Sequence, residues 1–211
     1  MCGPITPTSL GGKKYIMFII DSATRLVDFK LLTSKSEAFN AFIEYKTRAE
    51  KQNPGYQIMA IKSDLGKEFV NNKFKTYSNK TGIIQQFSSA RTPEQNGLVE
   101  RVNRTIIEIV RSLLYELKLP LYLWGEAVET AVLIYNLTPH SSLPNDKSPY
   151  EVVYGKIPKH NYIRTWGLIA YYKDKTQIKK LEPRAKKAIL IGFSNKSNNY
   201  KLYTPKNNRI L

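Results

Sequence analysis

The first third of the chain alternates short apolar runs with polar turns, and this pattern predicts strands ahead of helices. The apolar run at residues 15–21 predicts a buried strand, and the alternating residues 25–31 are expected to pair with it as a hairpin. Ser34 and Glu37 match a capping box and predict the start of a helix. The apolar run at residues 58–61 predicts a further short buried strand.

Helical periodicity dominates the middle of the chain. The pattern predicts a polar helix at residues 72–80, a strand at 83–87 and a long helix at about 121–136. Another long helix opens in residues 92–111, before the one at 121–136. Its expected buried stripe comprises Val102, Ile106, Ile109, Val110, Leu113 and Leu117. Strands followed by long helices predict an α/β or α+β layered core.

The pattern changes again after the second long helix. Short strands are predicted at residues 165–172, 188–193 and 200–203, separated by Asn, Gly, Pro and Lys residues. This pattern is typical of a small β-barrel-like module. The chain is therefore expected to divide into a core at residues 1–154 and a β module at residues 155–211.

The formal net charge is +16, and its distribution along the chain is uneven. Residues 155–211 carry 14 Lys and Arg against two acids, whereas the remainder carries 19 basic and 15 acidic residues. A basic segment of this kind usually binds a polyanion, most often nucleic acid, and a solvated surface is the alternative. The densest basic cluster, which we expect to contact DNA or RNA, comprises Lys179, Lys180, Arg184, Lys186 and Lys187.

Composition argues against several classes of protein. No apolar run approaches the length of a membrane span, and no signal-peptide pattern opens the chain, so we expect no membrane partner and no secretion. Cys2 is the only cysteine, which rules out a disulfide framework and favours a reducing, intracellular location. With one cysteine and two histidines, the chain cannot supply a four-ligand zinc site of its own.

Two acidic residues stand out as candidate metal ligands. Asp64 follows the predicted strand at residues 58–61 and precedes a turn at Gly66, so it lies where α/β folds place their sites. Glu100 lies among arginines on the first turns of the helix that opens in residues 92–111. The structural alternatives are an Asx-turn residue for Asp64 and a first-turn acid that complements the helix dipole for Glu100.

Polar side chains around Glu100 are candidates for DNA contacts. Gln95 and Asn96 precede the helix proper and can hydrogen-bond sugar or bases, while Arg101 and Arg104 can reach phosphates. An ordinary helix N-terminus with intrahelical partners is the alternative interpretation of the same four residues.

The spacing and flanks of the two acids carry a family resemblance. Thirty-five residues separate Asp64 from Glu100, with Gln95-Asn96-Gly97 before the glutamate and Arg101-x-Asn103-Arg104-Thr105 after it. This arrangement strongly resembles the catalytic core of integrases of copia-type long-terminal-repeat retrotransposons. Near the C-terminus, Trp166-Gly167-x-x-Ala170-Tyr171 is similar to the SH3-like module that follows the core in these Pol polyproteins.

The resemblance implies both a fold and an activity. The implied fold is α/β: a ribonuclease-H-like, retroviral integrase-type mixed sheet with flanking helices, followed by a small SH3-like β-barrel. The implied activity is that of a metal-dependent polynucleotidyl transferase, which joins DNA 3′ ends to target DNA. Asp64 and Glu100 match two of the family's catalytic, metal-ligating positions.

Cofactors and partners also follow from the resemblance. The implied cofactor is Mg²⁺ or Mn²⁺, with two ions in the intact family site, about 3.5–4 Å apart. The implied partners are the DNA ends of the element, target DNA and further copies of the chain in a homo-oligomer. The implied place of action is the nucleus.

One departure concerns the family's first catalytic Asp, which lies on the first strand just before a Cys-Gly-Pro motif. Here Met1-Cys2-Gly3-Pro4 opens the chain, so the matching position would fall immediately upstream of Met1. Residues 1–154 are therefore expected to be an N-terminally truncated core that lacks its first strand and has impaired activity. The alternative is a catalytically inactive, nucleic-acid-binding remnant of a transposon polyprotein.

Two further acids need an interpretation beside Asp64. Asp21 ends a predicted strand and is the candidate substitute for the missing carboxylate, but its motif aligns it with a non-catalytic position of the family. This substitution is therefore not expected. Glu68, four residues after Asp64, is interpreted as a solvated turn acid.

Overall fold

The computed structural model describes residues 1–88, 93–173, 184–193 and 199–211, with residues 93–96 described by their backbone alone. In this part of the chain the strands are β1 (Tyr15–Ile20), β2 (Val27–Leu32), β3 (Ala60–Ser63), β4 (Ile84–Phe87), β5 (Ile169–Lys173), β6 (Ala185–Phe193), β7 (Tyr200–Thr204) and β8 (Arg209–Ile210). The helices are α1 (Ala38–Gln52), α2 (Asn72–Thr81), α3 (Pro93–Glu116), α4 (Trp124–Leu137) and α5 (Pro149–Tyr154).

Contacts divide the chain into two compact units. Unit 1 comprises Met1–Ile19 and Asp28–Thr105, and unit 2 comprises Ile20–Val27 and Ile106–Leu211. Among the described residues, no helix combines the length and the apolar character needed to cross a membrane. The boundary expected after residue 154 stays a prediction.

Unit 1 is built from two small sheets and the helices around them. β1 and β2 form the predicted hairpin, and β3 and β4 pair in parallel. Ser34 and Glu37 form the predicted capping box, and a 3₁₀ turn leads from it into α1. The buried apolar residues of this unit include Met17, Leu32, Ala38, Ala41, Phe42, Phe74 and Ile83.

The expectation of a buried strand at residues 58–61 was wrong. β3 begins at Ala60, its positions alternate between exposed and half-buried, and Met59 before it is 68% exposed. The reason is that β3 pairs with β4 alone among the described residues. A sheet of two strands covers little surface.

α3 differs from its predicted buried stripe near its C-terminal end. Its fully buried positions are Val102, Ile106, Val110 and Leu114, each four residues after the last. Leu117 is 39% exposed because the helix ends at Glu116, so its inclusion in the stripe was wrong. Leu114 takes the place expected of Leu117.

Unit 2 contains α4, α5 and an antiparallel sheet in the order β5-β6-β7-β8. α4 packs against β6, whose second half is buried while its first half is exposed. Lys201 of β7 donates hydrogen bonds to Glu126 and Glu129 of α4, which ties the sheet to the helix a second time. The two-residue strand β8 was not among the predicted elements.

Candidate active site and nucleic-acid interface

Asp64 directly follows the last residue of β3, as predicted, and it is exposed. Its Oδ1 accepts the backbone N–H of Gly66 at 3.2 Å, which fixes one carboxylate oxygen in an Asx turn. Its Oδ2 has no hydrogen-bond partner among the described residues. The turn role and a ligand role are therefore compatible, because they use different oxygens.

Glu68 lies against the same turn. A Cβ on Gly66 would stand 2.8 Å from Glu68 Oε2 and 3.0 Å from Asp64 Oδ1, so both carboxylates flank this glycine. Glu68 Oε1 lies 3.5 Å from Lys35 Nζ, and the Glu68 side chain is only 10% exposed. The interpretation of Glu68 as a solvated turn acid was wrong. The sequence signal for this arrangement was the Asp-x-Gly-x-Glu spacing of residues 64–68, because a tight turn at the glycine can bring both carboxylates to one side.

Glu100 is exposed on α3, seven residues beyond the first helical residue, Pro93. A helix dipole acts on side chains of the first turn, and Glu100 lies past that turn. The structural alternative for this residue is therefore weakened. Among the described residues, the Glu100 carboxylate has no hydrogen-bond or ion-pair partner.

The chain approaches both acids from two adjacent parallel strands. β3 and β4 end side by side. Just beyond β4, Ser88 donates its backbone N–H to the carbonyl oxygen of Ser63 at 3.0 Å and its hydroxyl to the same oxygen at 3.1 Å. Asp64 follows β3, and α3, which carries Glu100, is the next described element after β4. Both acids belong to unit 1. The carboxyl ends of parallel strands are where α/β proteins place their sites.

The chemistry of these donors suits a hard divalent cation. Carboxylate oxygens are the ligands that Mg²⁺ prefers, and Mn²⁺ accepts the same set. The exposed carboxylates of Asp64 and Glu100 fit this requirement by type. Within the part of the chain that the structure describes, however, no group of three or more His, Cys, Asp or Glu residues is arranged to hold a metal ion.

Asp21 already serves the turn between β1 and β2. Its Oδ1 accepts the backbone N–H of Ala23 at 3.2 Å, the backbone N–H of Thr24 at 2.7 Å and the hydroxyl of Thr24 at 2.8 Å. The same turn holds Arg25 at a positive φ of 63°. These bonds give Asp21 a structural role that does not require a metal.

Two of the four polar residues predicted to contact DNA near Glu100 have described side chains. The expectation that Gln95 and Asn96 precede the helix was wrong, because α3 begins at Pro93; their side chains lie outside the described residues. Arg101 is exposed, and its Nε donates to the carbonyl of Gly97 at 3.0 Å. Arg104 is exposed, and no described residue pairs with it.

The basic cluster of the β module is described only in part. Arg184, Lys186 and Lys187 are exposed at the start of β6. Lys179 and Lys180 lie outside the described residues. The described part of residues 155–211 contains no Asp or Glu; the two acids of the module, Asp174 and Glu182, lie outside the described residues.

Comparisons with known proteins place these features in context. The retroviral polymerase SH3-like domain family matches residues 169–211. The retrovirus-related Pol polyprotein from transposon TNT 1-94 of Nicotiana tabacum is 32% identical over 212 residues, covering 100% of this chain and 16% of that protein. The Pol polyprotein from transposon RE2 of Arabidopsis thaliana is 30% identical over 187 residues, covering 88% of this chain and 13% of that protein. The chain thus spans less than a fifth of the length of these relatives.

A solved structure has a similar fold. It is a chain of the cryo-EM structure of the simian T-cell lymphotropic virus intasome in complex with PP2A regulatory subunit B56 gamma. The TM-score is 0.55 at 17% sequence identity, and the match covers 86% of this chain and 67% of that chain. The predicted fold class is confirmed: a ribonuclease-H-like arrangement of sheets and helices, followed by an antiparallel SH3-like β module.

Proposed function

Because this chain belongs to the integrase region of copia-type retrotransposon Pol polyproteins, we propose that its core acts in DNA integration by joining DNA 3′ ends to target DNA. The observation that carries this proposal is the placement of Asp64 and Glu100. Asp64 follows one strand of a parallel pair, and Glu100 lies on the helix that follows the other strand. Both carboxylates are exposed.

The two acids have separate tasks in this proposal. Asp64 and Glu100 are the residues that would hold Mg²⁺ or Mn²⁺, an ion that polarises a phosphodiester and stabilises charge on its oxygens when bound. The Gly66 N–H holds Asp64 Oδ1 and leaves Oδ2 to meet the ligand. Glu100 lies on the helix α3, which limits the backbone freedom of this residue.

Positive side chains position the DNA. Arg104, unpaired by any described residue, lies one helical turn from Glu100 and can neutralise a phosphate next to the acid. Arg101 shares the exposed surface of α3, and Gln95 and Asn96 lie on the turn before Glu100, where amide groups can bond sugar or bases. Arg184, Lys186 and Lys187 of the β module would contact the DNA backbone.

We expect the turnover of this polypeptide to be low. Two metal ions held by few ligands need a bridging carboxylate. The turn bonds of Asp21 all go to its Oδ1, but its motif matches a non-catalytic position of the family, so Asp21 is not expected to supply that bridge. Glu68 faces Asp64 but is paired with Lys35. Asp64 and Glu100 alone would hold a cation weakly.

The test is a strand-transfer assay with Mg²⁺ or Mn²⁺, using duplexes that carry the terminal sequence of the element. We expect a low yield of joined product that disappears in Asp64→Asn and in Glu100→Gln. Asp21→Asn and Glu108→Gln are the matched controls, because they change an exposed turn acid and an exposed acid of the same helix. If the unmutated chain yields no product with either ion, this activity is refuted for the polypeptide.

A second candidate function is non-catalytic nucleic-acid binding. It is favoured by the concentration of positive charge in residues 155–211 and by the lack of a three-ligand group among the described residues. Binding to duplex DNA would then weaken steeply with salt and would be unchanged in Asp64→Asn. Charge reversal at Lys186 and Lys187 would weaken it, and unchanged binding in that double variant would rule the candidate out.

We further propose that the active form is a homo-oligomer that works on nuclear DNA. Sedimentation of the chain with and without DNA tests the assembly, and the position of a tagged chain in its host cell tests the compartment. A monomer on DNA or exclusion from the nucleus would contradict these two points separately.

A further inference from the structure

The sheet of the β module presents an exposed face that its core does not use. This face, here named the β5–β6 face, comprises Ile169, Tyr171 and Lys173 of β5 with Ala185 and Lys187 of β6. Alternate residues of a strand share one side of a sheet, and directly opposed residues of neighbouring strands share it too. In the antiparallel register, Tyr171 lies opposite Lys187 and Lys173 lies opposite Ala185.

Burial differs between the two sides of these strands at their Ala170–Ala188 end, whereas Lys186, opposite Tyr172 on the other side, is exposed. On the inward side, Ala170 lies opposite Ala188, which is 2% exposed. On the β5–β6 face, Ile169 is 65% exposed and Tyr171 is 63% exposed. The Tyr171 hydroxyl and the Lys187 ammonium have no hydrogen-bond or ion-pair partner among the described residues. The aromatic ring therefore lies exposed on this face.

The charge around this ring selects the kind of ligand. Lys187 stands across from Tyr171, Lys173 follows two residues along the same strand, and Arg184 precedes β6; all three are exposed. No acid occurs in the described part of residues 155–211. An aromatic ring set among exposed cations complements a chain that alternates flat apolar rings with negative charges.

We infer that the β5–β6 face binds single-stranded DNA, with Tyr171 stacked on an unpaired base and Lys187 and Lys173 against neighbouring phosphates. This inference rests on the proposed function, because it takes DNA as the polyanion. Single-stranded DNA is favoured over duplex because base faces are covered by their neighbours inside a duplex, whereas an unpaired base can lie on a ring. Sequence reasoning assigned Lys186 and Lys187 to nucleic acid but gave Tyr171 no role.

The experiment is an anisotropy titration of the full chain with a labelled oligothymidine of about 16 nucleotides. Tyr171→Ala is expected to weaken binding by about 5- to 150-fold, the range found when one base-stacking ring is removed. Tyr171→Phe keeps the ring and is expected to bind like the unmutated chain. Tyr56→Ala, which removes another exposed tyrosine, located in unit 1, is the matched control and should change nothing.

The salt dependence of binding and the affinity for duplex DNA test the phosphate and base contacts separately. Lys187→Ala should lower the log–log salt slope for single-stranded DNA by about 0.7, the value expected for one phosphate contact. Tyr171→Ala should leave affinity for a duplex of the same length unchanged. Equal losses on duplex and single strand, or no loss on either, would overturn the inference.

Two other outcomes would also overturn it. Tighter binding of an RNA of matched length than of DNA would identify the wrong nucleic acid. A change in the sedimentation of the free chain caused by Tyr171→Ala would show that the face joins copies of the chain. The strand-transfer test is independent, because Asp64→Asn is expected to keep single-strand binding. A Tyr171 effect without strand transfer would refute the proposed activity and leave this inference standing.

Discussion

Asn136 of α4 holds Val27, 109 residues earlier in the chain, through both ends of its amide. Its Oδ1 accepts the Val27 N–H at 2.9 Å, and its Nδ2 donates to the Val27 carbonyl at 2.7 Å. Val27 is the first residue of β2 and is 3% exposed, so water is poorly placed to replace these bonds. A single side chain thus completes the backbone bonding of a strand end.

Loss of this amide should destabilise the protein. We expect Asn136→Ala to lower the free energy of unfolding by about 2–3 kcal/mol, because it leaves a buried N–H and a buried carbonyl unpaired. Asn136→Asp should lower the free energy of unfolding by a similar amount. The carboxylate can still accept the Val27 N–H, but it places a second acceptor against the Val27 carbonyl. Urea unfolding followed by circular dichroism measures both losses. Asn72→Ala, which changes an exposed asparagine, is the control. Equal unfolding midpoints for the Asn136 variants and the unmutated chain would contradict the prediction.

Lys201 should make a pH-dependent contribution to stability. Burial opposes its charged form, but the hydrogen bond to Glu129 and the charges of Glu126 and Glu129 together raise the pKa of Lys201. Its stabilisation is then full below the ordinary lysine value of 10.5 and is lost as pH rises through the higher folded value. Lys201→Met is expected to lower the free energy of unfolding by about 1–2 kcal/mol at neutral pH.

The measurement for Lys201 compares the two proteins from neutral to strongly alkaline pH. The difference in unfolding free energy should be constant up to about pH 10 and then narrow. Lys206→Met, an exposed lysine of the same module, should change stability little at any pH. A difference that widened with pH would show that the pKa shift has the opposite sign.

Tyr203 should ionise late. Burial and the hydrogen bond with the Tyr122 hydroxyl, at 2.6 Å, raise the pKa of Tyr203 to about 12. The neutral phenol also donates to Asn208 Oδ1 at 3.1 Å. A raised folded pKa means that this contribution to stability is present below the ordinary value of 10.0 and declines as pH rises from there to about 12.

Tyr203→Phe tests this directly. We expect the variant to lose about 1 kcal/mol at neutral pH, because it removes two hydrogen bonds from a buried group. Its stability should then fall less steeply than that of the unmutated chain above pH 10. Phenolate absorbance should lose one late-titrating group in Tyr203→Phe. Tyr115→Phe, which changes a tyrosine that is 68% exposed, is the control for stability.

Gly66 should accept an alanine at a small cost, because the atoms beside it belong to side chains that can move. A Cβ there would lie 2.8 Å from the Glu68 carboxylate, the far end of a flexible side chain, so Gly66→Ala should lower the free energy of unfolding by about 0.5–1 kcal/mol. Gly97→Ala is the matched control: nothing lies within 4 Å of its Cβ, and an alanine inside α3 should stabilise by about 0.5–1 kcal/mol.

A double variant separates crowding from backbone effects at Gly66. If the Glu68 carboxylate is what the new methyl group meets, Gly66→Ala should cost less in a Glu68→Ala background than alone. If the double variant loses as much unfolding free energy as the two single variants added together, the two residues do not interact.

Features set by a few neighbouring residues could be predicted from the sequence. The predicted capping box of Ser34 with Glu37 depends on contacts three residues apart. The polar helix predicted at residues 72–80 is α2, which Gly82 ends in the left-handed conformation. The position of Asp64 at a strand end followed from the apolar run before it and the glycine after it.

Features set by distant partners could not be predicted in this way. Glu68 looks like a surface acid in sequence, and Lys35, which covers it, lies on another element. The exposure of β3 depends on which strands pair with it, and periodicity carries no such information. Leu117 continues the apolar period of α3, but the helix ends one residue before it.

The pairing of Lys201 also changes what the formal charge of residues 155–211 means. A cation already matched by Glu126 and Glu129 releases no counterion when DNA arrives, so it adds nothing to the salt dependence of binding. Counting lysines therefore overstates the number of unmatched cations in the module.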